Sequence, residues 1–248
     1  MQTKDFHFDL PEELIAQQPA PQRGGDRLLL LNRATGQYDD RLFSDLAGLV
    51  EPGTLMVFND SRVRRARIYA TVEQTGNQAE FLLIAIARVP GTDQGSVWKV
   101  MAKNAKRQTP GRAYVFPDGT RAEIVRDPDG ALEGTEFRLL RFERPIDDAW
   151  LEKNGHLPLP PYIRREDELA DSERYQTVYA RNVGSVAAPT AGLHFTEETL
   201  AALDARGVER TTVTLHVGLG TFLPVRAERV EDHVMHEESY TVSGETAE

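Results

Sequence analysis

The feature that most constrains the fold is a stretch from Arg62 to about Phe142 in which short β-rich runs alternate with turn signals. The turn signals are TGN at 75–77, PG at 90–91 and 110–111, and PDG at 117–119 and 128–130. The runs between them are Phe81–Ala87, Val97–Met101, Tyr114–Phe116, Ala122–Val125 and Phe137–Phe142. This alternation predicts five or six short strands and no helix, which is typical of a small barrel or sandwich.

The segments on either side follow a different pattern. Before the stretch, Asp9 and Glu12 are spaced as a capping box for a helix that ends before Pro19. Arg27–Leu31 predicts a buried strand with a turn at Thr35-Gly36, and a short helix follows over Leu42–Val50. Leu55–Asp60 is an apolar run with a polar end, which predicts a central strand. After Pro145 we expect helices over Asp147–Asn154 and Glu166–Tyr179. The β-rich stretch is therefore interpreted as a domain inserted into an α/β domain.

The segment Gly184–Val225 predicts a strand–helix–strand unit. A short apolar run, Ser185–Ala188, precedes a helix with Thr196 as N-cap and Gly207 beyond its end. Thr211–Val217 is rich in β-branched residues and predicts the second strand, parallel and adjacent to the first. Both Gly-containing turns would then lie at the carboxyl edge of the sheet, where open α/β sheets bind their ligands.

Charge is unevenly distributed along the 248 residues, whose net charge is −10. Residues 62–112 contain ten Lys or Arg and three acidic residues, whereas the remaining chain has 19 basic and 36 acidic residues. Such a segment indicates either a surface that faces a polyanion or a solvated basic barrel face. The absence of cysteine fits a reducing compartment, and no signal peptide or membrane-length apolar run is present, so we expect a cytoplasmic protein.

Six motifs, in this order, resemble the S-adenosylmethionine:tRNA ribosyltransferase-isomerases of the queuosine pathway. They are FNDSRV at 58–63, GHLPLPPYI at 155–163, RYQTVYA at 174–180, VAAPTAGLHFT at 186–196, TLHVGLGTFLPV at 214–225 and EDHVMHEE at 231–238. The resemblance implies an α/β/α sandwich domain, residues 1–62 and 145–248, with an inserted β-barrel domain, residues 63–144. It also implies transfer and isomerisation of the ribosyl group of S-adenosylmethionine onto 7-aminomethyl-7-deazaguanine at the tRNA wobble position, which yields epoxyqueuosine, adenine and methionine.

The chain departs from the family pattern at two places. Arg64-Arg65 stands where the family usually has a hydrophobic residue and proline. The chain also stops at SGETAE after only about three parallel strands, without motifs that follow in the family, so we expect a fragment that lacks the carboxyl-terminal segment. A catalytically inactive, tRNA-binding fragment is therefore one alternative function. An unrelated Ser–His hydrolase is disfavoured because no serine lies in a nucleophile-elbow sequence.

The chemistry implied by the resemblance needs a base that removes a proton from the carbon next to the sulfonium. Histidine suits this role because its pKa lies near neutral pH. The catalytic candidates are His194, in the turn before the predicted helix, and His216, near the end of the second strand. The alternatives are a histidine that caps the turn and a satisfied core histidine. The candidates for binding the ribosyl donor are Asn59, Asp60, Pro189, Thr190, Gly192, Gly218, Gly220 and Thr221.

Phosphate contacts need exposed cations, which give a salt-dependent affinity that is largely independent of sequence. The candidates for tRNA or substrate binding are Arg62, Arg64, Arg65, Arg67, Lys103, Lys106, Arg107, Tyr175, Gln176 and His236. Without the resemblance, Tyr175 and Gln176 would be interpreted as solvated surface of a polar helix. His233 and His236 have a spacing that suits a metal site, but the resemblance implies no metal. We expect a monomer.

Overall fold

The computed structural model describes residues 1–248, which divide into two compact units. One unit comprises Met1–Val63 and Leu159–Glu248, and the other comprises Arg64–Pro158. The inserted unit thus ends after Pro158 and includes the helix that follows the barrel, although this helix lies within residues 145–248 of the expected α/β domain. The reason is that the Trp150 ring of this helix packs 5.4 Å from Phe116 and 5.7 Å from Phe142, and its Nε1 donates to Asp118 at 2.7 Å.

The strands are numbered in chain order. They are β1 (Arg27–Leu31), β2 (Tyr38–Leu42), β3 (Leu55–Asn59), β4 (Ser61–Val63), β5 (Arg67–Val72), β6 (Gln78–Ile86), β7 (Val97–Ala102), β8 (Ala113–Val115), β9 (Arg121–Val125), β10 (Phe137–Phe142), β11 (Asn182–Ser185), β12 (Glu209–Leu215) and β13 (Tyr240–Thr241). The α-helices are α1 (Leu46–Leu49), α2 (Asp148–Asn154), α3 (Asp171–Arg174), α4 (Glu197–Ala205) and α5 (Gly244–Ala247). Single 3-10 turns include Glu12–Leu14, Phe43–Asp45, Ala105–Arg107, Thr190–His194 and Leu219–Phe222.

The inserted unit is a closed barrel of six strands in the order β10-β7-β6-β5-β8-β9, and every neighbouring pair is antiparallel. Buried side chains alternate with less buried ones along β5 and β9, as expected for strands with one face towards a core. Phe81 and Tyr114 meet edge to face inside, with ring centroids 4.9 Å apart. The prediction of a small β-barrel is confirmed.

The main sheet of the other unit has three strands in the order β13-β12-β3. On one face, Phe58 of β3 packs in a core with Phe43 and Phe195 and with Leu200 and Leu203 of α4. On the other face, the hydroxyls of Thr211 and Thr246 lie 2.9 Å apart and join β12 to the single turn α5. The α/β class is therefore confirmed, with helices on both faces of the sheet. β3 lies at the edge of this sheet, so the prediction of a central strand for Leu55–Asp60 was wrong.

The helix of the predicted strand–helix–strand unit forms as expected, but the strand pairing differs. Thr196 Oγ1 accepts the Thr199 N–H at 3.1 Å as the N-cap of α4. The parallel neighbour of β12 is β3, whereas β11 pairs with β4. β11 ends at Ser185, so only the first residue of the predicted strand Ser185–Ala188 lies in a strand. The two segments still meet at their carboxyl ends, where Val186 N–H donates to Val217 O at 2.8 Å.

Two predictions in the first 31 residues were wrong. The strand Arg27–Leu31 forms, but it is exposed instead of buried because it pairs only with β2 in a hairpin. The helix expected after Asp9 is only the 3-10 turn Glu12–Leu14. Gln17 explains why the chain stays extended there, since its side chain donates to Tyr162 O at 3.0 Å and accepts the Arg164 N–H at 2.7 Å.

The helix expected over Glu166–Tyr179 is reduced to the four residues of α3. Gln176 lies beyond it, where its side-chain amide donates to Val63 O and accepts the Val63 N–H, both at 2.9 Å. Gln176 and Tyr175 are both buried, so their interpretation as solvated surface was wrong. A helix through these residues would remove the Gln176 amide from β4, whose buried backbone groups need partners.

Leu203→Ala is expected to destabilise the discontinuous unit, because Leu203 is fully buried in the core beneath α4. Deleting a buried leucine side chain costs about 2–5 kcal/mol. The free energy of unfolding in urea measures the effect. Leu169→Ala is the matched control, because the Leu169 side chain is 90% exposed and its truncation should change stability little. Equal losses in the two variants would contradict the assigned core.

Candidate active site

A half-buried arginine joins the two segments that carry the candidate site. Arg23 donates to the carbonyl oxygens of Gln176 at 2.9 Å, Leu193 at 3.0 Å and Glu173 at 2.8 Å. Burial lowers the pKa of Arg23 from its ordinary value, and the positive charge of Arg174 lowers it further. An arginine remains charged even so, and its planar set of N–H donors suits several carbonyl groups at once. The Arg23 guanidinium therefore fixes the Thr190–His194 turn against the residues that follow α3.

His194 lies at the end of this turn and is oriented by a carboxylate. Its Nδ1 is 2.9 Å from Asp26 Oδ2, and its ring packs 5.3 Å from the Phe43 ring. Because an ionised carboxylate only accepts hydrogen bonds, this contact places the proton on Nδ1 of the neutral imidazole. Nε2 then carries the free lone pair. A histidine held in this tautomer by an aspartate is the arrangement of a general base.

His194 and Asp26 line a cavity of about 290 Å³. Its apolar wall includes Leu159, Ile163 and Leu193, and its polar wall includes Thr190, Tyr175 and three charged side chains, Arg165, Asp171 and Arg174. Burial raises the pKa of Tyr175 to about 12, so this phenol stays protonated at neutral pH. Apolar surface combined with a few convergent polar groups is typical of small-molecule sites.

Arg165 and Asp171 form an ion pair in the cavity wall. Two hydrogen bonds of 2.6 and 2.8 Å join the guanidinium to the carboxylate, which is nearly fully buried. Arg165 also donates to Gln17 O at 2.9 Å and Glu166 O at 3.0 Å, and the Glu168 N–H donates to Asp171 at 2.8 Å. The hydrogen bonds from Arg165 lower the pKa of Asp171, although burial acts in the opposite direction. Both side chains are thus occupied by partners within the protein.

The other catalytic candidate, His216, lies in a polar strip that we define as Asp60, Asn182, Gly184, Thr214 and His216. The buried Asp60 carboxylate accepts from Thr214 Oγ1 at 2.6 Å and Asn182 Nδ2 at 3.2 Å. The His216 ring lies against Gly184, where an added Cβ would be 2.5 Å from Cε1, so only glycine fits beneath it. His216 Nδ1 is buried without a hydrogen-bond partner. No residue of the strip lines the His194 cavity, so the two histidines do not share one pocket.

Several donor-binding candidates make contacts that hold the fold together. The Asn59 side chain donates to Leu215 O at 2.9 Å and accepts the Leu215 N–H at 3.0 Å, which extends the β3–β12 ladder. Gly192 packs against Tyr179 and Thr177, and its N–H donates to Pro189 O at 2.8 Å. Of this group, only Thr190 lines the cavity.

The second Gly-containing turn is covered by side chains from the carboxyl-terminal segment. The Gly218 N–H donates to Glu238 Oε1 at 2.7 Å. A Cβ on Gly220 would be 3.0 Å from His236 Cδ2, so the His236 ring occupies the space that a ligand would need there. Thr221 is exposed beside them. The structure contains no group of three or more potential ligands that could hold a metal ion.

The basic candidates of the barrel unit divide into paired and unpaired cations. Arg64 pairs with Asp148 at 2.6 Å and Arg65 with Glu152 at 3.4 Å. Arg67 and Lys103 share the carboxylate of Glu80, at 2.6 and 2.9 Å. Burial acts to raise the pKa of Glu80, but the hydrogen bonds from these two cations outweigh it and the pKa is lowered.

Lys106 and Arg107 lie on the exposed 3-10 turn Ala105–Arg107, and neither side chain takes part in an ion pair. Arg62, on β4 of the other unit, is half-buried and also lacks an ion pair. These three residues are therefore the basic candidates that have no carboxylate partner.

Sequence reasoning missed Asp26, Arg23, Arg165, Asp171 and Arg174. The only local signal for Asp26 is the Gly24-Gly25 pair before it. Gly24 adopts a φ of +84°, and a Cβ there would be 2.9 Å from Thr196 Cγ2, so the turn that presents Asp26 packs directly on the N-cap of α4. The other four are charged residues in segments that look solvated in sequence.

The fold and the site together describe a mixed α/β protein with an inserted barrel, whose histidine–aspartate pair opens on a cavity of small-molecule size. None of its helices has the length and apolarity that crossing a bilayer requires.

A family model described as "Queuosine biosynthesis protein" matches residues 3–248, and the chain belongs to this family. It is 56% identical to the S-adenosylmethionine:tRNA ribosyltransferase-isomerase of Treponema denticola over 248 residues, which are all of this chain and 70% of the relative. It is 45% identical to the Geobacter metallireducens protein of the same name over 250 residues, all of this chain and 70% of the relative.

The solved structure of an S-adenosylmethionine tRNA ribosyltransferase from Thermotoga maritima is 29% identical, with a TM-score of 0.37. That match covers 98% of this chain, and the chain spans 62% of the length of the solved protein.

Asp171→Asn is expected to reduce stability in a pH-dependent way. Because the pKa of Asp171 is lowered in the folded protein, its ionised form contributes stability above the ordinary pKa of about 3.9, and this is lost as the pH falls through the lowered value. The variant should lose about 1.5–3 kcal/mol at pH 7, the range for charge-assisted hydrogen bonds. Urea unfolding at several pH values measures this.

The difference between the wild type and Asp171→Asn should shrink as the pH falls below about 4. Asp232→Asn is the control, since Asp232 is exposed and forms no ion pair. A stability loss in Asp171→Asn that does not vary with pH would contradict the role of the ionised carboxylate.

Proposed function

We propose that this chain transfers and isomerises the ribosyl moiety of S-adenosylmethionine onto 7-aminomethyl-7-deazaguanine at the wobble position of tRNA, giving epoxyqueuosine-tRNA, adenine and methionine. Family membership supports the reaction class. The observation that carries the proposal is the His194–Asp26 pair at 2.9 Å, because it supplies a base beside a cavity of suitable size.

In the proposed reaction, S-adenosylmethionine is a substrate that lies in the His194 cavity. The positive sulfonium acidifies the protons on the ribosyl carbon bonded to it. His194 Nε2 removes one of these protons, and Asp26 stabilises the imidazolium that forms, without itself taking the proton. The nearby apolar side chains Leu159, Ile163 and Leu193 limit the access of water to the strongly basic carbon.

The tRNA substrate is proposed to contact the barrel unit through its exposed cations. Lys106 and Arg107 are the best phosphate partners because no carboxylate neutralises them. Arg67 and Lys103 share a single Glu80, so that pair of cations also retains net positive charge. As the proposed partner is tRNA, we propose the cytoplasm as the location.

His194→Ala and Asp26→Asn are expected to lower the rate of adenine release by about 100- to 10,000-fold, the range for loss of a general base. Asp26→Asn acts by removing the acceptor that fixes the His194 tautomer. The assay follows free adenine in the presence of S-adenosylmethionine and tRNA that carries the aminomethyl-deazaguanine base. tRNA affinity, measured separately, should remain unchanged.

His7→Ala is the matched control, because the His7 side chain is exposed and does not line the cavity. A fully active His194→Ala variant would exclude His194 as the base. Absence of adenine release from the wild-type chain, with release by the Treponema denticola relative under the same conditions, would instead favour a tRNA-binding function without catalysis.

Replacing Lys106 and Arg107 together by Ala is expected to weaken tRNA binding and to flatten its salt dependence. Each lost phosphate contact should reduce the slope of log K against log salt by about 0.7–0.9. The contrast is the double variant Arg64→Ala, Arg65→Ala, whose charges are already paired with Asp148 and Glu152. We expect a smaller change of slope there. A larger change would place the RNA on the Arg64 side of the barrel unit.

A further inference from the structure

Among the charged groups of the His194 cavity, Arg174 is the cation without a carboxylate partner. Its guanidinium makes one long hydrogen bond, from Nη1 to Pro21 O at 3.4 Å. Arg165, the other cavity-lining arginine, is held by Asp171 and two backbone carbonyl groups. A guanidinium has five N–H donors, so most of the donors of Arg174 are left for a ligand.

The charges around the cavity also indicate that Arg174 is available to bind an anion. Arg165 and Asp171 neutralise each other, and Asp26 is the carboxylate that faces His194. Arg174 therefore adds to the wall a positive charge to which no carboxylate is hydrogen-bonded. A guanidinium without a carboxylate partner in a cavity wall favours an anion.

We propose that Arg174 binds the α-carboxylate of the methionyl part of S-adenosylmethionine and so fixes the orientation of the donor in the cavity. The inference rests on the proposed function, because it takes the donor to lie in the His194 cavity. S-adenosylmethionine carries a positive sulfonium at one point and a negative carboxylate at the end of its amino-acid chain. The cavity has a matching pair of opposite charges, with Asp26 behind His194 and Arg174 in the polar wall.

This assignment gives Arg174 a positioning function. A bidentate guanidinium–carboxylate contact is directional, so it would orient the methionyl chain and thereby the sulfonium towards His194. The residue also provides specificity, since an analogue without the carboxylate would leave Arg174 unpaired in a partly enclosed site.

The test compares two ligands in two proteins. Calorimetry measures the Kd of S-adenosylmethionine and of its decarboxylated analogue, which retains the sulfonium and the amine. The wild-type chain should bind S-adenosylmethionine about 10- to 100-fold more tightly than the analogue, the range for one charge-assisted contact. Arg174→Gln should abolish this preference by weakening S-adenosylmethionine alone, with the affinity for the analogue unchanged.

Two further variants control the result. Arg206→Gln removes an exposed arginine that forms no ion pair, and it should retain the full preference. Arg174→Lys keeps the charge without the planar fork, and it should retain part of the preference. If Arg174→Gln unfolds, as thermal denaturation would reveal, Arg174→Lys supplies the decisive comparison.

Four outcomes would overturn the inference. An Arg174→Gln variant that keeps the wild-type preference, or that weakens both ligands equally, would show that Arg174 does not contact the carboxylate. If Arg174→Gln loses tRNA affinity but keeps the preference for S-adenosylmethionine over the analogue, the partner of Arg174 would be a tRNA phosphate. A wild-type chain that binds tRNA but neither small ligand would instead refute the donor site of the proposed function.

Discussion

The candidate site depends on the Arg23 guanidinium. Its hydrogen bonds to Glu173, Gln176 and Leu193 hold together two segments that are adjacent in space but separated in sequence by β11. One segment presents Arg174 and Tyr175, and the other presents Thr190 and His194. These carbonyl groups belong to short turns and to the single-turn helix α3, where few backbone N–H groups can donate to them. A single charged side chain supplies those hydrogen bonds instead. The site is therefore organised by a residue that touches none of the proposed reacting atoms.

The parts of the fold that could be predicted from the sequence are those set by local patterns. The barrel was identifiable because its turns contain Gly and Pro at the required positions, and four of its six strand pairs join consecutive strands. Helix α4 was identifiable because Thr196 caps it and Gly207, at φ +76°, follows it. In both cases the residues that give the signal, in the turns and at the helix ends, also mark where the element begins or ends.

The other features of the fold and of the candidate site depend on contacts between residues that are distant in sequence, which no local pattern indicates. The Gln176 amide binds β4, and this contact decides that residues after α3 leave the helix and become buried. The partner of His194 is Asp26, and nothing in the spacing of the two residues indicates that they meet. A histidine can be proposed as a base from sequence, but its tautomer requires knowledge of the acceptor. The charged residues Arg165 and Asp171 look solvated in the sequence because nothing local indicates that they form an ion pair with each other.

The parallel ladder between β3 and β12 has a consequence for how the chain folds. These strands lie on opposite sides of the inserted unit in sequence, so they can pair only after a long loop has closed. The barrel, in contrast, is built largely from antiparallel strands that follow one another closely, and its contact order is lower. A folded barrel brings its own two ends to fixed positions and shortens the effective loop between β3 and β12. During synthesis on the ribosome, the barrel can therefore form before β12 emerges, and the β3–β12 ladder can form only afterwards.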